Sequence, residues 1–343
     1  MDAVNAPQEI ATGADCLMQS LARLFELLSP FGTDSRFHWT GLAAFLILGV
    51  ALFVVHKRRD PDDASSLATF LFPGDLYRTA SSWLDVKVYF AGRFIKPAIN
   101  AFALPLNAVV MAACAGLVFS GDADPEASTL GAGSIVAATL LVALVNDLSY
   151  YVAHRVSHES AWLWPFHKLH HSAEVLTPIT AKRNHPVFDL LRAVIGIVMT
   201  APISGIIFGL FGVIEFTTIF GVTLLIALMN VTGGALRHSH IWLDFGPVLD
   251  RIFISPAQHQ IHHSLDPRHH DKNYGLTLAI WDWMFGTLYV PSGREALSFG
   301  VADADGTPEP QVHHTLKDAY LVPFEEVAQV RRAHSKPMVE ERA

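Results

Sequence analysis

Apolar residues in this chain gather into long unbroken runs, not the alternating or one-faced patterns of soluble strands and helices. Five stretches are long enough to cross, or nearly cross, a hydrocarbon core of about 30 Å. They cover roughly Trp39–Val55, Pro97–Phe119, Gly131–Tyr151 and a double-length run from Val187 to Met229. The last is interrupted at Ala201-Pro202-Ile203-Ser204-Gly205, which predicts two helices joined by a tight turn. Ahead of the first run, Leu17–Leu28 predicts a short amphipathic helix on the outer surface, and no basic stretch or cleavage site marks a signal peptide. From about Pro291 the pattern turns polar. The expected organisation is an N-terminal segment (1–38), a membrane bundle with its attached domain (39–290) and a polar C-terminal tail (291–343).

Positive charges orient the bundle. His56-Lys57-Arg58-Arg59 closes the first run, and the loop expected before the second adds Arg78, Lys87, Arg93 and Lys96. The opposite loop, Gly121-Asp122-Ala123-Asp124-Pro125-Glu126, has no Lys or Arg. The excess of Lys and Arg predicts that the first loop is cytoplasmic. Alternating spans then deliver both His154 and the segment from His238 onward to that same side.

Composition agrees: 51% of residues are hydrophobic and only 16% charged, more apolar surface than a soluble domain can bury. The net charge of −8 argues against nucleic acid as a partner. The two cysteines, Cys16 and Cys114, sit among apolar residues and offer neither a disulfide framework nor a thiolate metal site. Histidine is the outlier, with 11 of its 18 occurrences between His154 and His263.

The spacing of those histidines carries chemistry. His154 and His158 stand one helical turn apart, in line with Asp147 and Tyr151. Asp147 is placed to accept the distal N–H of a ligating imidazole, and Asp147 and Tyr151 are the candidate catalytic residues. His167, His170 and His171 form an H-x-x-H-H segment, repeated by His259, His262 and His263. On a helix each such segment turns three imidazoles to one side and reads as a half-site for a metal. Together these make eight imidazoles, enough for two ions with open positions, and imidazole suits Fe, Zn, Cu and Ni alike. His238, just after the fifth run, is a ninth candidate; His185 and His240 could be ligands or supporting residues. Asp147, Glu159, Asp266 and Asp271 are carboxylates that could offset the metals' charge. His269, His270, His313, His314, His334, His38 and His56 read as solvated. Asn273-Tyr274-Gly275 and Trp281-Asp282-Trp283 read as residues that cap and pack the metal domain.

These segments resemble the fatty acid hydroxylase/sterol desaturase superfamily of membrane di-iron enzymes. The resemblance spans roughly residues 146–291. It rests on D-x-x-Y-Y-x-x-H-R-x-x-H from Asp147, W-x-F-H-x-x-H-H-S from Trp164, and R-x-H-P at Arg183–Pro186. The closing block runs from Pro256 through D-x-N-Y-G to W-D-x-x-F-G-T at Thr287. Where the family pattern suggests Asn in H-S-N-I, this chain has His240. The resemblance implies an all-α integral membrane bundle of about four or five spans with a cytoplasmic, histidine-rich di-metal cap. It implies two Fe ions held by His154, His158, His167, His170, His171, His259, His262 and His263, with His238 added, and O2 as co-substrate. The activity implied is oxidation of a lipid C–H bond, with hydroxylation favoured and desaturation as the alternative. No H-P-G-G haem signature is present, so electrons are expected from a separate ferredoxin- or cytochrome b5-type donor. The expected location is a multi-pass membrane site, in a bacterial inner membrane. A non-catalytic zinc-binding membrane protein and a metal transporter are the rival classes. The transporter is the weaker, because the apolar runs hold almost no ionisable residues.

Overall fold

The structure is a computed structural model, and it describes residues 39–118, 132–211 and 233–335. Among these residues regular structure is helical, and the only pairings of extended backbone are three isolated bridges. In chain order the elements are α1 (Trp39–Arg59), α2 (Leu67–Leu71), α3 (Gly74–Tyr77), α4 (Ala80–Val118), α5 (Ala132–Glu159) and α6 (Trp164–His171). There follow α7 (Pro186–Phe211), α8 (Gly246–Leu249), α9 (Pro256–His262), α10 (Ile280–Phe285) and α11 (Leu316–Ser335), with 3₁₀ turns at Pro178–Lys182, Gly234–Leu236 and Pro267–His269.

Four of these helices are long and apolar enough to cross a membrane: Gly41–Arg59, Ala80–Val118, Gly133–Glu159 and Pro186–Leu210. Their outer faces stay apolar and uncovered, as at Leu104, Val109, Leu117 and Val198, which suits acyl chains as solvent. The chain is therefore an all-α integral membrane bundle. The described segments 60–79, 160–185 and 233–335, with the first half of the long second span, form a cap. That cap touches all four: α1 packs on the Gly234–Leu236 turn, α4 on the Pro178–Lys182 turn, and α5 and α7 on α6.

Three expectations are revised. The segment expected as a loop from His56 to Lys96 contains α2, α3 and the first half of α4. At 39 residues α4 is about 58 Å long, nearly twice the hydrocarbon thickness, so its first half belongs to the cap. That half is one-faced: Ser81, Leu84, Asp85 and Val88, at i, i+3, i+4 and i+7, are buried, with Leu84 and Val88 packed on Leu169 and Ala319. The tight turn expected at Ala201–Gly205 is uninterrupted helix, because α7 runs from Pro186 to Phe211. Gly205 instead lets α7 press on α4; a Cβ there would lie 2.9 Å from Cys114 Cβ. Gly209, one turn on, meets Ala115 and Val118 in the same way. Small residues four apart bring membrane helices into direct backbone contact, and that contact is what the interruption in the apolar run encodes. The expected fifth span after this point, Leu17–Leu28 and the acidic loop all lie outside the described residues.

The third revision concerns the C-terminal tail. Within it α11 folds back on α6 and α4. Phe324 packs against Phe166 and His185, and Lys168 of α6 pairs with Glu309 (2.6 Å) and Glu326 (3.0 Å).

Candidate metal centre

Short helices and one loop bring nine imidazoles together. The C-terminal end of α5 supplies His154 and His158, α6 supplies His167, His170 and His171, the loop after the Gly234–Leu236 turn supplies His238, and α9 with its C-cap supplies His259, His262 and His263. Each helix is set locally. Pro165 and Pro256 begin α6 and α9 with φ already fixed for a helix, and Ser255 caps α9 by accepting from Gln258 N (3.3 Å) while Gln258 Oε1 accepts from Ser255 N (3.0 Å).

The imidazoles fall into two groups, in each of which the ligand atoms lie within 4.8 Å of one another. One holds His154, His158, His167, His171 and His262; the other holds His170, His238, His259 and His263. Each H-x-x-H-H segment is thus shared between groups and is not a half-site for one ion. In α6 the i, i+4 pair His167/His171 faces the first group and His170 the second. In α9 the pair His259/His263 faces the second and His262 the first.

The donor atoms fit metal ions. In the first group Nε2 of all five histidines is buried and without a hydrogen-bond partner, an arrangement that is costly unless something accepts the lone pairs. Two of the opposite nitrogens are hydrogen-bonded to backbone carbonyls. His154 Nδ1 donates to the Tyr274 carbonyl and His262 Nδ1 to the Lys272 carbonyl, both at 2.7 Å. A carbonyl can only accept, so these bonds fix the proton on Nδ1 and turn Nε2 into the group. His158 Nδ1 lies 3.9 Å from Asp271 Oδ1. In the second group Nε2 atoms lie 3.2 Å (His238–His170), 3.1 Å (His259–His238) and 3.3 Å (His263–His259) apart. Imidazoles bound to one ion at about 2.0–2.1 Å place neighbouring nitrogens about 2.8–3.4 Å apart. Burial holds His167, His171, His259 and His263 far below the ordinary imidazole range and pushes His262 down to about 4. All five are therefore neutral at pH 7, the form that ligates.

The carboxylates expected beside the ligands are mostly elsewhere. Asp147 does not meet an imidazole: it accepts from Thr277 N (3.1 Å), Leu278 N (3.1 Å) and Trp281 Nε1 (2.9 Å). Tyr151 pairs its hydroxyl with Thr287 Oγ1 (3.0 Å) and accepts from Arg155 (3.2 Å). Glu159 pairs with Arg155 and Asp266 with Arg268, which leaves Asp271 as the one of the four beside a group. Asp282 matches Asp147, accepting from Tyr274 N, Gly275 N (both 2.8 Å) and Thr287 Oγ1 (2.7 Å). Two buried carboxylates therefore clamp the loop whose carbonyls orient His154 and His262. Asn273 helps: it adopts φ +57° and accepts from Tyr289 N (2.8 Å). The scaffolding role expected for Asn273–Gly275 and Trp281–Asp282 thus has a definite object, although Trp283 is exposed.

His185 and His240 stand outside both groups. His185 Nε2 donates to the Tyr320 carbonyl (3.2 Å) and His240 Nε2 to the Phe70 carbonyl (2.7 Å). Two histidines expected to be solvated are buried. His269 pairs with Glu295 at 3.1 Å, and His313 meets Ser172 Oγ at 3.0 Å. The carbonyls of Lys272 and Tyr274 had no sequence signal of their own beyond the D-x-N-Y-G pattern that shapes their loop. A polar cavity of about 200 Å3, lined by His158, Trp164, His171, His262 and Asp271 among others, opens onto the first group.

A helical membrane bundle that buries nine imidazoles in two tight groups is the architecture of a membrane metal-site protein. Comparison points to the same family: residues 139–287 match the fatty acid hydroxylase family model. Among curated proteins it is 32% identical over 162 residues to an ornithine lipid hydroxylase of Rhizobium tropici, covering 46% of this chain and 44% of the relative. It is 29% identical over 162 residues to an alkylglycerol monooxygenase of Caenorhabditis elegans, covering 47% and 29%. It is 32% identical over 162 residues to a very-long-chain aldehyde decarbonylase of Oryza sativa subsp. indica, covering 46% and 24%. The chain spans less than half the length of each of these relatives. No solved structure matches it.

Proposed function

We propose that this chain is an O2-dependent oxidoreductase that hydroxylates a C–H bond of a membrane lipid, with two Fe ions held by the two histidine groups. The observation that carries this reading is the set of buried, converging imidazole nitrogens in adjacent groups of five and four. Imidazole ligands suit iron among the first-row metals, and the absence of thiolate removes the donor set expected of Cu(I) or a closed structural zinc site. When bound, the two irons supply the O2 chemistry that no side chain can. The protein's part is to hold His154 and His262 in one tautomer through the Tyr274 and Lys272 carbonyls, and to keep bulk water away by burial. The relatives named as lipid hydroxylase and monooxygenase support the reaction class.

The Lys- and Arg-rich end of the bundle, where the cap lies, is the cytoplasmic side of a bacterial inner membrane in this reading. Electrons come from a separate ferredoxin- or cytochrome b5-type donor. The test is comparative lipidomics of cells carrying wild-type protein or His170→Ala/His171→Ala, with metal analysis and Mössbauer spectroscopy of the purified protein. The expected result is a lipid gaining 16 mass units only with wild type, together with two coupled irons. Loss of 2 mass units would reassign the reaction to desaturation. Zinc in place of iron would overturn the proposal.

A further inference from the structure

Apart from the metal groups, the cap holds an apolar cavity of about 400 Å3 between α1, α3, the start of α4 and the turns at Pro178–Lys182 and Gly234–Leu236. No charged side chain lines it. On its outer side stand Leu46 of α1 and Phe72, 47% and 51% exposed. Leu46 lies on a membrane-spanning helix, so this side opens where acyl chains lie. On its inner side stand Gly234, which has no side chain, and Ala235, which has only a methyl; His238 follows three residues later.

The polar groups of the lining are few, and all but one are engaged. Ser82 Oγ donates to the Leu76 carbonyl (2.6 Å), and Thr177 Oγ1 pairs with Thr180 Oγ1 (3.3 Å). The Tyr77 hydroxyl is buried with no hydrogen-bond partner, and burial pushes its pKa up to about 12, so it is a neutral donor. A buried hydroxyl without a partner is unfavourable and is relieved by a ligand oxygen. An ionic head group would be desolvated here with no countercharge, so it is excluded.

We propose that this cavity binds the aliphatic chain of a lipid entering sideways from the bilayer, with a neutral chain oxygen (ether, ester or hydroxyl) held by the Tyr77 hydroxyl and the charged head group left outside. In this proposal the aliphatic chain runs on past the small residues at Gly234–Ala235 toward the His238 group. The direction of that path rests on the proposed lipid hydroxylation; the binding of the chain does not.

The test is photolabelling of the full protein in nanodiscs with two neutral diazirine probes of equal length, an alkane and its methyl ester. Labelled peptides are mapped by mass spectrometry, and bound iron is measured in parallel. Wild type is expected to be labelled at Gly234–Ala235 and Leu42–Leu46. Ala235→Leu, which fills the inner end, should cut that labelling at least fivefold, while labelling of the outward face of α4 and the iron content stay unchanged. Leu46→Trp, at the exposed mouth, should do the same and serves if Ala235→Leu does not fold. Tyr77→Phe should lower ester labelling more than alkane labelling. Absence of label at these peptides in wild type, or undiminished label in both filling variants, would overturn the cavity assignment. Equal effects of Tyr77→Phe on the two probes would overturn the role of its hydroxyl. Intact labelling in a protein without iron would overturn the metal reading and leave the cavity standing.

Discussion

His170 and His171 are neighbours in the chain, yet their ring nitrogens belong to different groups, because successive positions on a helix diverge by about 100°. Single substitutions should therefore act on different ions. His171→Ala is expected to weaken the first and His170→Ala the second, each leaving about one iron per chain by elemental analysis and abolishing the coupled Mössbauer signal. Loss of both ions in either variant would show that the groups load only together. Behind the ligands, the carboxylate of Asp282 fixes the Tyr274 backbone that orients His154. Orienting partners of metal ligands are typically worth about 10–100-fold in affinity or activity. Asp282→Ala should lower iron affinity by about that factor without removing a ligand, measured by competition with a calibrated chelator. Gly275→Ala should move it in the same direction, because its Cβ would lie 2.9 Å from Asp282 Oδ2.

Among elements, the α4–α7 contact determines how the spans sit together. Gly205 and Gly209 face Met111–Val118 closely enough that any side chain must push the helices apart. Gly209→Leu is expected to lower the thermal midpoint in detergent by several degrees, since forcing bulk into a packed contact costs about 1–3 kcal/mol. An unchanged midpoint would mean that α4 and α7 do not meet this way in solution. The buried Arg183–Asp85 pair (3.0 Å) ties the Pro178–Lys182 turn to the cap half of α4. Arg183 also donates to the Leu169 carbonyl (2.9 Å) and Ser172 Oγ (2.9 Å), which bracket His170 and His171. The R-x-H-P segment is thus legible as a fixture of α6, with its arginine and not its histidine beneath the ligands.

For the whole molecule, the metal site is also a stability device. Nine buried imidazoles with converging nitrogens favour a state in which ions are bound, so ligation stabilises the fold by mass action. Stripping the metal with a chelator should lower the thermal midpoint, and adding Fe(II) back should restore it. The metal-free protein should also be acid-labile in a definite window. His262 titrates at about 4 when folded, against an ordinary 6.5, so the unfolded chain takes up its proton first. Stability tied to this group is intact above pH 6.5 and falls as pH drops from 6.5 toward 4, and His167, His171, His259 and His263 act in the same sense. Denaturant midpoints of the metal-free protein between pH 7.5 and 4.5 check this; a flat profile would contradict the burial of the cluster.

The sequence alone determined the helical class, the membrane setting and eight of the nine grouped histidines, because runs of apolar residues and one-turn spacings are local properties written along the chain. His238 has no such spacing and is a candidate only by its place after an apolar run and by the family resemblance. The sequence also marked Asn273–Gly275 and Trp281–Asp282 as structural. Tertiary structure decided what depends on direction and on distant partners. It divided each H-x-x-H-H segment between two groups, turned Asp147 away from the imidazoles toward the loop at Thr277–Trp281, and supplied backbone carbonyls as the partners of His154 and His262. It carried α7 unbroken through Pro202 and brought α11 back onto α6. Spacing fixes which side chains share a helical face, but the atom each of them meets is set by other segments of the chain packing against that face.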